Sequence, residues 1–196
     1  MDFEKREVVF KVIAALEQLG IPYLISGSFA SALYGLARYT NDADLVAEIK
    51  VEQTADLFQA LEQDFYVNQT SIQRAVETGR HFNVIHSETQ FKVDVFTPKP
   101  GGFADKELAR RQRREFGSGS NRTAFFASPE DTVLAKLEWY RRGDEVSDTQ
   151  WRDVVTILKV QRDRLDIDYL RQSAAELGVS DLLEDATTEA AALWES

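Results

Sequence analysis

The chain predicts an α+β fold, with a small mixed sheet and flanking helices followed by a C-terminal helical bundle. Three observations carry that reading. Apolar residues switch between helical and strand spacing through the first two-thirds of the chain. Turn-forming residues separate these runs. From Ser128 onward every periodic segment has helical spacing. The division falls at residues 127/128, giving an α/β domain over 1–127 and a helical region over 128–196 packed on it.

The elements follow in order. Val8, Val9, Val12, Ile13 and Leu16 recur at helical spacing and predict a helix over 6–19, stopped by Gly20. Pro22 leads into a short apolar strand over 23–26. Phe29, Ala30, Leu33, Tyr34 and Ala37 fall near one stripe and predict a helix over 28–37. A strand follows over 42–49, with Leu45, Val46 and Ile49 apolar. Helical periodicity returns over 51–64 and, in a shorter and more polar form, over 71–77. The stretches 81–86 and 91–96 read as paired strands, with Ser87, Glu88, Thr89 and Gln90 as their turn. Pro98, Pro100, Gly101 and Gly102 mark a loop, as do Gly117, Ser118, Gly119 and Ser120 further on; a strand over 123–127 closes the sheet. Ser128 is placed to cap a helix, with Pro129 at its first position and Asp131 three residues past the cap. Further helices are expected near 148–163, 167–177 and 179–193.

Composition narrows the function classes. The 196 residues suit one domain, or one domain with a helical extension, and 43% apolar content is enough for a packed core. The apolar runs are too short to span a bilayer. The opening Met-Asp-Phe-Glu-Lys-Arg lacks a basic stretch followed by an apolar segment, so a cytoplasmic protein is expected. Cysteine is absent, which excludes disulfides and thiolate metal sites. A net charge of −10 repels phosphate backbones, so generic DNA binding is not expected.

The chemistry concentrates between Ser26 and Asp44. Gly27 and Ser28 sit where a strand ends and a helix begins, a place where backbone N–H groups favour phosphate oxygens. Asp42 and Asp44 are two apart on a strand, so alternation sends both carboxylates to one face. Two such groups repel unless a cation lies between them. All-oxygen donors suit Mg²⁺ or Mn²⁺ rather than Zn²⁺. A third carboxylate, Asp94, stands among apolar strand residues in Lys92-Val93-Asp94-Val95-Phe96 and would be costly to bury without a partner. If its strand neighbours the first, Asp94 completes an acidic triad suited to a pair of metals roughly 3.5–4 Å apart.

The stretch Gly27 to Asp44, with a third Asp on a later strand, resembles the signature of the DNA polymerase β-like nucleotidyltransferase superfamily. The run Arg38, Thr40, Asp42, Asp44 is similar to the Arg-x-Thr-x-Asp-x-Asp of small bacterial nucleotidyltransferase-like proteins akin to AbiEii-type toxins. So are Lys136-Leu137 and Arg152-Asp153 further on. Those toxin-like proteins usually carry an acidic residue just before that lysine, where this chain has Ala135. The resemblance covers roughly residues 20–185. It implies a nucleotidyltransferase-type fold and transfer of a nucleoside monophosphate from an NTP to an acceptor hydroxyl, with Mg²⁺ (or Mn²⁺) as cofactor. Gly27, Ser28, Arg38, Thr40, Lys136 and Asp153 would bind the nucleotide, and Asp42, Asp44 and Asp94 would hold metal and catalyse. The acceptor is open: protein, tRNA end or small molecule.

Two other readings stand beside this one. The fold could serve as a non-catalytic partner in a toxin–antitoxin type system, although the presence of all three carboxylates argues for catalysis. It could also modify a cationic antibiotic, which the acidic charge allows. The basic residues Arg110, Arg111, Arg113 and Arg114 read either as a clamp for phosphate or as a charged helix face interspersed with Glu107 and Glu115. Trp139, Trp151 and Trp194 are expected in the core or an interface rather than as stacking platforms. His81 and His86 have no metal-ligand spacing.

Overall fold

The computed structural model describes residues 3–116 and 122–193. The predicted loop at Gly117, Ser118, Gly119 and Ser120, and Trp194, lie outside the described residues. The chain divides into two compact units: Met1–Ser28 with Tyr39–Phe126, and Phe29–Arg38 with Ala127–Ser196.

The first unit holds the whole sheet. In chain order its elements are α1 (Phe3–Gln18), β1 (Tyr23–Ile25), β2 (Asp42–Ala47), α3 (Thr54–Leu61), β3 (Phe65–Tyr66), α4 (Gln69–Thr78), β4 (His81–His86), β5 (Lys92–Phe96), α5 (Phe103–Arg110), β6 (Gln112–Glu115) and β7 (Thr123–Phe126). The helix α2 (Gly27–Tyr34) begins here and continues into the second unit. The strands form one mixed sheet in the order β3-β4-β5-β2-β1-β7-β6. β2 lies at its centre, antiparallel to β1 and parallel to β5. The expected pairing of β4 with β5 is antiparallel, with Asn83 opposite Asp94. Leu24, Ile25, Leu45, Val84 and Val93 are fully buried in the sheet, and Leu16, Leu57, Leu61 and Ile72 come from the helices over it. α1 packs on α3, and α3 on α4.

Two strands escape the sequence pattern. β3 has two residues, too few for alternation to show. β6 has no apolar residue at all, so Arg113 and Arg114 lie on an edge strand and not on the helix face expected for them. Charge on an edge strand discourages pairing with other chains. α2 ends at Tyr34, before Gly35, rather than running to 37.

The second unit comprises the body of α2 with α6 (Pro129–Arg142), α7 (Asp148–Gln161), α8 (Ile167–Leu177) and α9 (Ser180–Ala192). α6 packs on α7 and α8, and α9 on α7 and α8. Phe29, Leu134, Leu137, Val154 and Ile157 form its core. The Tyr34 hydroxyl donates to the Ala127 carbonyl at 2.8 Å, and the Gln161 amide donates to the Tyr34 carbonyl at 2.8 Å, so the α2 segment is tied to the helical bundle. The predicted cap at Ser128 is present, its Oγ accepting from the Asp131 N–H at 3.0 Å. Trp151 donates its indole N–H to Glu189 at 2.7 Å, whereas Trp139 is 49% exposed and does not sit in the core. Among the described residues no helix is long and apolar enough to cross a membrane.

Candidate functional site

The parallel register of β2 and β5 decides where the carboxylates go. Asp42 lies opposite Lys92, and Asp44 lies opposite Asp94. Residues directly opposite share a face of the sheet, and residues two apart on a strand share it too. Asp42, Asp44, Lys92 and Asp94 therefore occupy the four corners of one rectangle on a single face. The third carboxylate does lie on the neighbouring strand, as the triad required.

The rectangle sits beside the start of α2. β1 runs antiparallel to β2, so its last residues meet the beginning of β2, and the Ser26 N–H donates to the Asp44 carbonyl at 2.9 Å. The next residue, Gly27, has φ +57°. A Cβ there would stand 1.9 Å from Asp44 Oδ2 and 2.9 Å from Asp44 Cβ. Glycine is required twice over, by the left-handed backbone and by the aspartate lying against it. We predict that Gly27→Ala costs about 2 kcal/mol, from the left-handed penalty and the displaced carboxylate together. Urea unfolding checks this, and an unchanged midpoint would contradict it.

Electrostatics within the rectangle centre on Lys92. Its ammonium lies 2.7 Å from Asp94 Oδ2 and 3.7 Å from Asp42 Oδ2. The hydrogen bond to Asp94 holds Lys92 above the ordinary lysine range, and the charges of Asp94, Asp42 and Asp44 act in the same direction against its partial burial. Asp94 is only 8% exposed, and its other oxygen, Oδ1, is buried with no hydrogen-bond partner among the described residues. A buried carboxylate oxygen left unpaired costs free energy. Thr40 donates to Asp42 Oδ1 at 3.0 Å and to the Asp42 carbonyl at 3.1 Å, fixing the first carboxylate.

The donor set suits a hard divalent cation. It offers only carboxylate oxygens, and the orphaned Asp94 Oδ1 is the kind of atom that a cation satisfies. Still, among the described residues no group of three or more His, Asp or Glu side chains is already gathered as metal ligands. An ammonium stands between Asp42 and Asp94 in the rectangle. Lys92 was given no role in the sequence analysis. The available signal was its place two residues before Asp94 on an alternating strand, which forces both side chains onto one face.

The other predicted residues lie in the second unit. Asp153 is 7% exposed and accepts from two cations: Lys136 Nζ at 2.9 Å, and Arg38 through Nε at 3.2 Å and a terminal nitrogen at 3.1 Å. Lys136 is itself 6% exposed. Removing the shared acceptor strands a buried ammonium. We predict that Asp153→Asn destabilises the protein by on the order of 3 kcal/mol. Denaturant unfolding measures it; a loss below ~1 kcal/mol would mark the cluster as behaving like surface ion pairs. His86 is buried, with Thr89 and Lys11 as its ring partners.

Comparison with known proteins adds the following. No family model matches the chain, and no curated protein matches it by sequence. Solved structures do match. An antigenic nucleotidyltransferase-like protein from Paracoccidioides brasiliensis aligns with TM-score 0.56 and 18% identity, covering 94% of each chain. The protein ANT(2'')-Ia, in complex with adenylyl-2''-tobramycin, aligns with TM-score 0.56 and 14% identity over 89% of this chain and 97% of its own. The lincosamide adenylyltransferase LnuA, bound to lincomycin, aligns with TM-score 0.54 and 13% identity over 82% and 98%. The chain thus has a nucleotidyltransferase fold, mixed sheet and helices included.

Proposed function

We propose that the protein is a magnesium-dependent nucleotidyltransferase, moving a nucleoside monophosphate from an NTP to an acceptor hydroxyl. The carrying observation is the register that puts Asp42, Asp44 and Asp94 on one face beside the Gly27 turn, within a nucleotidyltransferase fold. Asp42 and Asp44, with Asp94, would hold Mg²⁺ or Mn²⁺, which supplies charge neutralisation for the triphosphate and the departing pyrophosphate.

The remaining work falls to the chain. The backbone N–H groups at Gly27 and Ser28 bind the β- and γ-phosphates at the first turn of α2. Thr40 keeps the Asp42 carboxylate aimed. The acceptor oxygen bonds to the α-phosphorus, the bond from that phosphorus to the β-bridging oxygen breaks, and pyrophosphate leaves. Asp94, the third carboxylate of the site, takes the hydroxyl proton. Catalysis is then mostly positioning and preorganised charge. The motif also assigns Arg38, Lys136 and Asp153 to nucleotide binding, a role that rests on the motif.

A small-molecule acceptor is the second reading to carry forward. One structural neighbour is a lincosamide antibiotic adenylyltransferase and another was solved in complex with adenylyl-2''-tobramycin, and a chain of net charge −10 suits a cationic acceptor better than a nucleic acid. One experiment addresses both. The protein is incubated with each α-labelled NTP, Mg²⁺ or Mn²⁺, and cell lysate, in parallel with a panel of cationic small molecules. Label in a macromolecule, or in a small-molecule product, identifies the acceptor class. No labelled product under any nucleotide and metal would refute the transferase assignment.

A further inference from the structure

We infer that Lys92 is a built-in counter-ion of the acidic site: its ammonium occupies the cation position between Asp42 and Asp94 and competes with the divalent ion for it. The inference rests on the metal-site reading above and adds a residue that neither the motif nor the fold assigns.

The geometry carries it. Lys92 lies directly across the parallel ladder from Asp42 and two residues before Asp94, so its side chain has no other face to take. Its ammonium contacts both carboxylates, closely at Asp94 and more loosely at Asp42. Its side chain is 38% exposed, so the path away from the carboxylates is open to solvent, whereas Asp94 is held in place by the sheet. The four corners of the rectangle sum to −2 (three carboxylates and one ammonium), a charge that one divalent cation cancels.

The competitor has two consequences of opposite sign. Without metal, the ammonium relieves repulsion among three carboxylates and stabilises the fold. With metal, the same ammonium repels the incoming ion and weakens its binding. A lysine that only decorated the surface would produce neither effect. A lysine that served only to bind phosphate would change nucleotide affinity and leave metal affinity without nucleotide unaltered.

The test compares wild type, Lys92→Met, Lys92→Arg and Asp42→Asn, using Mn²⁺ alone as the probe. Free Mn²⁺ is read by electron paramagnetic resonance without nucleotide, and thermal unfolding is followed in EDTA. Lys92→Met is expected to bind Mn²⁺ about tenfold more tightly, for one repulsive charge removed at close range. In EDTA it should unfold several degrees below wild type, roughly the 2–4 °C per kcal/mol typical of chains this long. Lys92→Arg keeps the charge and should follow wild type in both measurements. Unchanged Mn²⁺ affinity in Lys92→Met, with binding still lost in Asp42→Asn, overturns the role of Lys92 and leaves the metal site standing. Absence of Mn²⁺ binding in every variant overturns both. Were Lys92→Met to fold poorly, weaker Mn²⁺ binding by Lys92→Arg than by wild type, at an unaltered unfolding temperature, would equally count against simple charge competition.

Discussion

Asp42→Asn is expected to reduce nucleotidyl transfer by on the order of 10³-fold while leaving the fold intact. The separation follows from its surroundings. The Asp42 side chain is 40% exposed and stands 3.7 Å from Lys92, a loose and solvent-screened pair worth under ~1 kcal/mol. Its hydrogen bond from Thr40 goes to Oδ1, which an asparagine oxygen replaces. Function needs more than that oxygen. It needs the second negative charge beside Asp44, which an amide does not supply. Calorimetric titration of Mn²⁺ in the presence of a non-hydrolysable NTP should show binding by wild type and loss in the variant. Equal binding by both proteins would remove Asp42 from the metal site, whatever happened to the rate.

The sequence carried the parts of this site that depend on local periodicity. Asp42 and Asp44 share a face because strands alternate, and that holds whichever strands surround them. Gly27 announced a turn between strand and helix. What the sequence does not contain is register. Nothing in Lys92-Val93-Asp94 says that this segment lies parallel to β2 with Asp94 opposite Asp44 and not shifted by two residues. That alignment is set by long-range packing of buried residues such as Leu45, Val93 and Val95. For the same reason Lys92 had no role in the sequence reading, since its role exists only once Asp42 stands across from it. The strands that escaped detection, β3 and β6, lack the apolar alternation on which detection rests; the sheet supplies their hydrogen bonds from a neighbour. The helices were easier because their stripes, caps and stops are local, as Ser128, Pro129 and Asp131 illustrate at the start of α6. Tyr34 and Gln161 show the limit of that ease: the short helix α2 was legible, while its attachment to a helix 127 residues away was not.

Asp94→Asn should differ from Asp42→Asn in a diagnostic way, because Asp94 is buried. Its Oδ2 accepts from Lys92 at 2.7 Å, and its Oδ1 has no hydrogen-bond partner among the described residues. An amide in its place must bury an N–H₂ group at 8% exposure, against either the Lys92 ammonium or the unpaired position. Both choices are unfavourable, so a loss of about 1–3 kcal/mol in stability is expected here, where Asp42→Asn loses little. Nucleotide binding should survive, because Asp42, Asp44 and the Gly27 turn remain. Turnover should fall by on the order of 10³-fold or more, since the group proposed to take the acceptor proton is gone. The signature is therefore a collapse in kcat with little change in nucleotide Kd, measured well below the unfolding temperature of the variant. Combining Asp94→Asn with Lys92→Met removes both ends of the ion pair, and the double variant should lose less stability than the two single losses summed. A near-normal kcat in Asp94→Asn would make Asp94 a structural partner of Lys92 and confine catalysis to β2 and the turn before α2.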